Sequence, residues 1–532
     1  MQRTPTSKEA VSGQSYIEGR YDQAVISGNP DGQNSPVHAK GGIGVVIAVV
    51  VIAISFLLAK MSPSPDHGQS DLMITQAGGL YVAYEKDGQR RLHPALNLAS
   101  ARLIAGKADK PSVVKPDTLT DYPRGLPMGI IGAPNSLEHH NGSEEDAGWG
   151  VCVLHDDKAN LSLTRADSLR TTVVAGSDSW EGGTKLDKGR AVLVKPESDL
   201  TRRYLVFDHY VAEIGAEDFP VQTALGISAE DMDAAVVVSD AFINSLTPKP
   251  RISTPAIAGK GEPSKIAHGA AVGDVLTTLG VDGTRRFHVL LENGVQAIPV
   301  SLAEILSATG SPMHTIANSE DVTRQKQVGT LDTTAYPVNI PTLDTPAAMC
   351  SVWSKPLGAS NPVKYVLTDQ KLPVNPDVAR TVVPQEKSST GKKLADGFVT
   401  APGKGWFVRV TGDSDKSQAE AQVAFIDDTG IRYDVVADGE GSFTPAVKAL
   451  GLTGEPVLIP DSVASILVKG ADLDREAAMV QHAAGAEKSV PETSTAPPSQ
   501  PPVEEPQVEQ PEEPAVEEPA EEKPVEQPAE QP

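Results

Sequence analysis

The chain has 532 residues, with 46 Lys and Arg against 70 Asp and Glu and a formal net charge of −24. Such acidity excludes a broad nucleic-acid surface, which needs a basic face to displace counterions. Two cysteines exclude a disulfide-dense scaffold and any four-cysteine zinc or iron–sulfur centre. At ~150 residues per domain the length allows three or four domains.

In chain order, Met1–Lys40 reads as a short cytoplasmic segment. Val11, Tyr16, Tyr21 and Val25 fall roughly on one helical stripe there, weakened by Gly13 and Gly19. Gly41–Ala59 follows, 19 uncharged residues between Lys40 and Lys60. At ~1.5 Å per residue the run spans roughly 28 Å, about the hydrocarbon thickness of a bilayer, so residues 41–60 are expected to form a transmembrane helix. The run is too long and starts too late for a cleaved signal peptide, and no Ala-x-Ala closes it. A short tail before one early span favours an inside N-terminus, with the bulk of the chain outside the cytoplasm. Residues 61–71 read as a linker.

The body repeats a pattern of strand, Gly turn, strand and short helix. Leu80–Tyr84 alternates, turns at Asp87-Gly88, resumes at Arg91–Pro94 and enters a helix over Leu96–Ile104 that ends at Gly106. Arg285–Leu291 turns at Asn293-Gly294 and runs through Val295–Val300 into a helix over Leu302–Ala308. Ala421–Ile426 turns at Thr429-Gly430 and leads to Pro445–Leu450 and Gly451. Arg203–Leu225 is a poorer copy. These patterns predict an α+β fold with ββα-type repeats at 72–125, 189–258, 259–315 and 395–488. A central β-rich domain would come in two parts, 126–188 and 316–394. Ser489–Pro532 holds 12 Pro, 12 Glu and one Lys, and reads as a disordered, self-repelling tail.

Cys152 and Cys350 lie on the same side of the expected span, and an even pair outside the cytosol usually pairs. The alternative is two buried free thiols. Trp149 and Trp353 stand three residues from the cysteines and are expected to pack near the sulfurs. Catalytic signatures are absent. Gly-Lys occurs at Gly106, Gly259, Gly391 and Gly403, never followed by Ser or Thr, so no Walker loop is present. No Gly-x-Ser-x-Gly or His-Glu-x-x-His occurs. His139-His140 reads as part of an exposed polar loop, and Glu144-Glu145-Asp146 as solvated surface. No catalytic, cofactor or metal residue is assigned.

The combination of one early span, LYVAYEKDGQRRLHPALNLASARLIAG (Leu80–Gly106), LPMGIIGAPNSL (Leu126–Leu137), Trp149-Gly150-Val151-Cys152 and Cys350-Ser351-Val352-Trp353 resembles the EccB component of actinobacterial type VII (ESX) secretion systems. The resemblance covers about residues 1–480. It implies a single-span core subunit whose extracytoplasmic body has four repeats around a disulfide-bearing centre. It implies assembly into an oligomer with EccC, EccD and EccE in the membrane. Some family members are described as ATPases. One departure stands at Val11–Gly28, usually Arg-rich in the family, where Arg20 is the single base. The leading reading is a structural secretion subunit. A wall- or ligand-sensing ectodomain and an ATPase are the alternatives.

Overall fold

In the computed structural model, four small sheets share one strand order. The structure describes residues 70–482 except 87, 143–147, 156–168, 188, 281, 356–358, 380–382, 385–392 and 413–418, with seven helical residues between 15 and 25. The expected span and the Pro/Glu-rich tail lie outside the described residues. So do Val11, Tyr16 and the acidic run Glu144-Glu145-Asp146. Among the described residues no helix is long and apolar enough to cross a membrane.

Each small sheet starts as a three-stranded antiparallel meander. A helix then returns the chain so that a fourth strand lies parallel to the first. In the first module the strands are Leu72–Thr75, Leu80–Lys86, Gln89–Pro94 and Ser112–Val114, with the helix at Leu98–Ala105. The second uses Arg190–Pro196, Arg203–Phe207, Tyr210–Ile214 and Val236–Val238, with a helix at Phe219–Ala224. The third uses Val275–Leu279, Arg285–Leu291, Gly294–Ile298 and Met313–Thr315 around Val300–Ala308. The fourth uses Gly405–Thr411, Ala419–Ile426, Ile431–Asp434 and Val457–Pro460 around Thr444–Leu450. A short helical turn then carries the chain to the other edge. There it pairs in parallel with the third strand: Arg124 with Leu92, Thr247 with Tyr210, Gln327 with Val295, and Val468 with Ile431.

The unit is therefore larger than strand–turn–strand–helix. The pattern marked its middle and missed the first strand and the edge strands. The local signals explain the parts that were visible. Asn97 caps the first helix by accepting from Ser100 N at 2.9 Å, and Gly106 ends it at φ 67°. Gly451 does the same for the fourth module at φ 78°.

A seven-stranded central sheet joins the modules. Its order is Val383–Pro384, Gly397–Val399, Leu169–Ala175, Trp149–His155, Ala348–Ser354, Val363–Asp369 and Thr184–Lys185. Gly397–Val399 belongs here, although the sequence partition gave 395–488 to the last repeat. The two long middle strands are antiparallel, and Cys152 faces Cys350 across them.

The chain reads as two similar halves about that pairing. Each half runs module, linker, central strands, module: 72–252 with three central strands and 275–473 with four. Each linker pairs in parallel onto the start of an inner module before entering the central sheet. His139–His140 lies on Gly405–Trp406, and Thr342–Asp344 on Arg190–Val192.

Packing crosses between the halves. The first module shares a core with the fourth, where Leu103 and Ile104 meet Leu450 and Leu473. The second shares one with the third, where Val221 and Leu225 meet Leu302 and Ile305. The remaining faces of the second and fourth modules join the Trp149 face of the central sheet in one core, with Val192, Phe242, Trp406 and Ile459.

Candidate functional site

The first module's quoted motif and the Leu126–Leu137 motif that follows it are halves of one polar clamp. His93 donates through Nδ1 to the Leu126 carbonyl at 2.8 Å. Asn97 Nδ2 donates to the Ile130 carbonyl at 2.7 Å, and Ser100 Oγ accepts from Ile130 N at 2.8 Å. These three side chains are nearly fully buried, so each would be costly to leave unpaired. Gly125 has no Cβ because one would fall 2.1 Å from the His93 ring. Arg102 leaves the clamp and donates to the Leu450 carbonyl at 2.7 Å, at the end of the fourth module's helix. Burial pulls its guanidinium below the ordinary value, against the attraction of Glu138 and Asp109. The fourth module's C-terminal end closes the same place. Gly129 N donates to the Val480 carbonyl at 3.3 Å, and His482 bonds Gly129 O at 2.7 Å. The polar residues of Leu92–Gly106 thus hold Leu126–Leu137 to the first module and the first module to the fourth.

Cys152 and Cys350 form a disulfide between directly opposed residues, Cα–Cα 4.0 Å, at a sequence separation of 198. Both are fully buried. The tryptophans do not pack near the sulfurs. Strand side chains alternate, and an offset of three puts Trp149 and Trp353 on the opposite face, in the core shared with the inner modules. Trp180 takes the expected place. It packs with the cysteine cluster, and a Cβ on Gly150 would fall 2.2 Å from its ring.

His139-His140 is not an exposed loop. It is a two-residue strand, and His140 stacks on Trp406 at 4.4 Å. The apolar environment of Trp406 and Phe407 outweighs the polar neighbours in sequence. His155, at the end of a central strand, donates through Nε2 to the Val237 carbonyl of the second module at 2.8 Å. Burial lowers its pKa, partly offset by that bond. Of the N-terminal stripe, Tyr21 and Val25 are helical and exposed.

Several clefts open on the described residues. One of about 660 Å³ sits beside Tyr84, Arg91 and His93. Another of about 390 Å³ lies between Arg102, His139 and Lys404, one of about 350 Å³ between Arg190, Asp344 and Asp369, and one of about 250 Å³ between Phe207, Tyr210 and Tyr336. Among the described residues no group of three His, Cys, Asp or Glu could hold a metal ion. The arrangement braces, caps and joins modules.

Comparison with known proteins points the same way. Residues 3–486 match the family described as "Type VII secretion system ESX-1, transport TM domain B". The chain is 30% identical over 474 residues to the ESX-3 secretion system ATPase EccB3 of Mycobacterium tuberculosis, covering 86% of this chain and 84% of that protein. It is similar to a chain of an intact ESX-5 inner membrane complex, with TM-score 0.66 and 26% identity over 93% of this chain and 99% of that one. It is also similar to the EccB3 dimer from the ESX-3 core complex, with TM-score 0.65 and 28% identity over 77% of this chain and all of that one.

Proposed function

We infer the role of this chain from the family to which it belongs, the EccB components of type VII (ESX) secretion systems. It is a structural subunit of the inner-membrane core complex of such a system, and it works in an oligomer with other core subunits. The observation that carries this is continuous. The family match runs over residues 3–486, and the likeness to one chain of an intact inner membrane complex covers 99% of that chain.

The finer parts of the reading are proposals. Residues 41–60 cross the membrane once, Met1–Lys40 docks on the cytoplasmic side, and the body from Leu72 onward stands outside. The modules and the central sheet act as a rigid spacer, and the polar clamp and the disulfide hold its parts in one arrangement. The partners are EccC, EccD and EccE. Purification of the tagged chain from membranes should bring those three with it. Recovery of the chain alone under conditions that keep the other three together would overturn the reading.

The name of the ESX-3 relative includes ATPase. Our reading of this chain assigns ATP turnover to a partner, because the sequence contains no Gly-Lys-[Ser/Thr]. Purified chain with ATP and Mg²⁺ should show no turnover approaching the ~10 s⁻¹ typical of enzymes. Turnover abolished by a point change in the body would transfer the activity to this chain.

A further inference from the structure

The fourth strand occupies an edge in each module, and the four edges differ in charge. In the first module the approach to that strand and its exit are basic: Lys107, Lys110 and Lys115 flank Ser112–Val114 and are exposed, and Val113 is 52% exposed. Lys107 pairs with Asp71 at 2.6 Å, while Lys110 and Lys115 have no ion pair among the described residues. Asp109 and Asp117 are the acids of this stretch.

Lysine on an open edge is a known device against edge-to-edge pairing. That explanation would apply equally to the third module, whose edge strand Met313–Thr315 is also outermost and carries an exposed Met313. Thr309–Ile316 there contains no Lys or Arg. The corresponding approaches in the other two modules, Ser228–Val238 and Gly451–Pro460, carry acids and no base. The basic edge is therefore specific to one module in a chain of net charge −24.

That module is also the one tethered at the membrane end. Its first strand, Leu72–Thr75, lies directly beside the basic edge, with Met73 facing Ser112 and Ile74 facing Val113. Eleven residues, Met61–Asp71, separate it from the span. Fully extended, they reach roughly 40 Å, so the first module stays near the bilayer surface.

We propose that the edge strand Ser112–Val114, with Lys110 and Lys115, is a lipid-facing foot that rests on anionic phospholipid headgroups. This rests on the reading of 41–60 as the anchor. The lysines supply attraction to the surface, Val113 supplies a small apolar contact, and the acidic remainder of the body is turned away.

The full-length chain reconstituted into vesicles tests this. A donor dye is placed on cysteine at Val113→Cys or, as the control, Met313→Cys, and the acceptor on lipid headgroups. The native cysteines are buried in their disulfide and do not compete for the dye. Energy transfer from position 113 should be about twofold higher in phosphatidylcholine mixed with phosphatidylglycerol than in phosphatidylcholine alone. It should fall to the neutral-lipid level at high salt and in the Lys110→Glu, Lys115→Glu chain, with position 313 unchanged throughout. Equal transfer in both lipids, or no response to the charge reversal, overturns the foot. Alkaline carbonate washing tests the anchor separately. A chain that stays in the membrane but shows no lipid dependence at 113 sinks the foot alone, whereas release by carbonate sinks the anchor and the foot with it.

Discussion

The second and fourth modules are built like the first and third, yet the two pairs finish their sheets differently. In the first module the turn after the fourth strand, Pro116–Asp121, folds Leu119 back over its own sheet, against Met73 and Leu92. The third does the same with Val322 from Ser319–Thr323, against Leu276 and Leu290. In the second and fourth modules the equivalent turns, Asp240–Ser245 and Asp461–Ala464, touch each other. They carry Phe242 and Val463 into the core shared with Trp149. The same architectural position serves as a lid in one pair and as a plug in the other. The difference lies in what the turn packs against: its own small sheet in the first and third modules, the Trp149 face of the central sheet in the second and fourth.

The contrast can be broken most severely at Trp406. It is fully buried between His140 and Trp149, with ring centroids at 4.4 and 5.4 Å. Trp406→Ala should cost about 4 kcal/mol, and thermal unfolding should show it. Loss of the disulfide comes next. Cys152→Ser with Cys350→Ser should lower stability by about 3 kcal/mol, read as the denaturation midpoint of the oxidised parent against the double variant. A midpoint that does not move would mean that the central sheet's hydrogen bonds suffice without the crosslink.

Leu119→Ala sharpens the comparison because its effect should be confined. A loss of about 2–3 kcal/mol should raise hydrogen exchange in Leu72–Val114 while leaving Trp149–His155 protected. Faster exchange in the central strand would show that the outer lids also brace the middle. The smallest effect concerns pH. Burial lowers the His155 pKa in the fold, whereas in the unfolded chain the group titrates at ~6.5. The unfolded state therefore binds more protons, and stability is complete above that pH and declines as pH falls through it toward the lowered folded value. His155→Gln should flatten the acid limb of a stability–pH curve.

The sequence disclosed the hairpins and helix ends because those depend on near neighbours. Gly88 and Asn293-Gly294 turn the chain, and Gly106 and Gly451 stop helices. It hid what depends on distant partners. Leu72–Thr75 is four residues long and becomes a strand only beside Leu80–Lys86 and Ser112–Val114. His139–His140 is a strand only because Gly405–Trp406 lies beside it. The faces of the tryptophans were legible, since an offset of three in a strand changes sides, but proximity in sequence was the wrong guide. For the clamp, the motif named His93, Asn97, Ser100 and Arg102, while nothing local indicated that Leu126, Ile130 and Leu450 were their partners.

The bond from Arg102 to Leu450 spans 348 positions. At about 5–20 residues per second of synthesis, roughly 20–70 s separate the emergence of the two residues. Through that interval the part of the Leu103 and Ile104 surface that packs toward Leu450 and Leu473 is uncovered, because those residues have not been made. The first module to leave the ribosome is thus among the last to be completed. The order of the chain sets a waiting time during which an apolar helix face stands open, and a newly made copy is exposed to misassociation with its neighbours until its last module arrives.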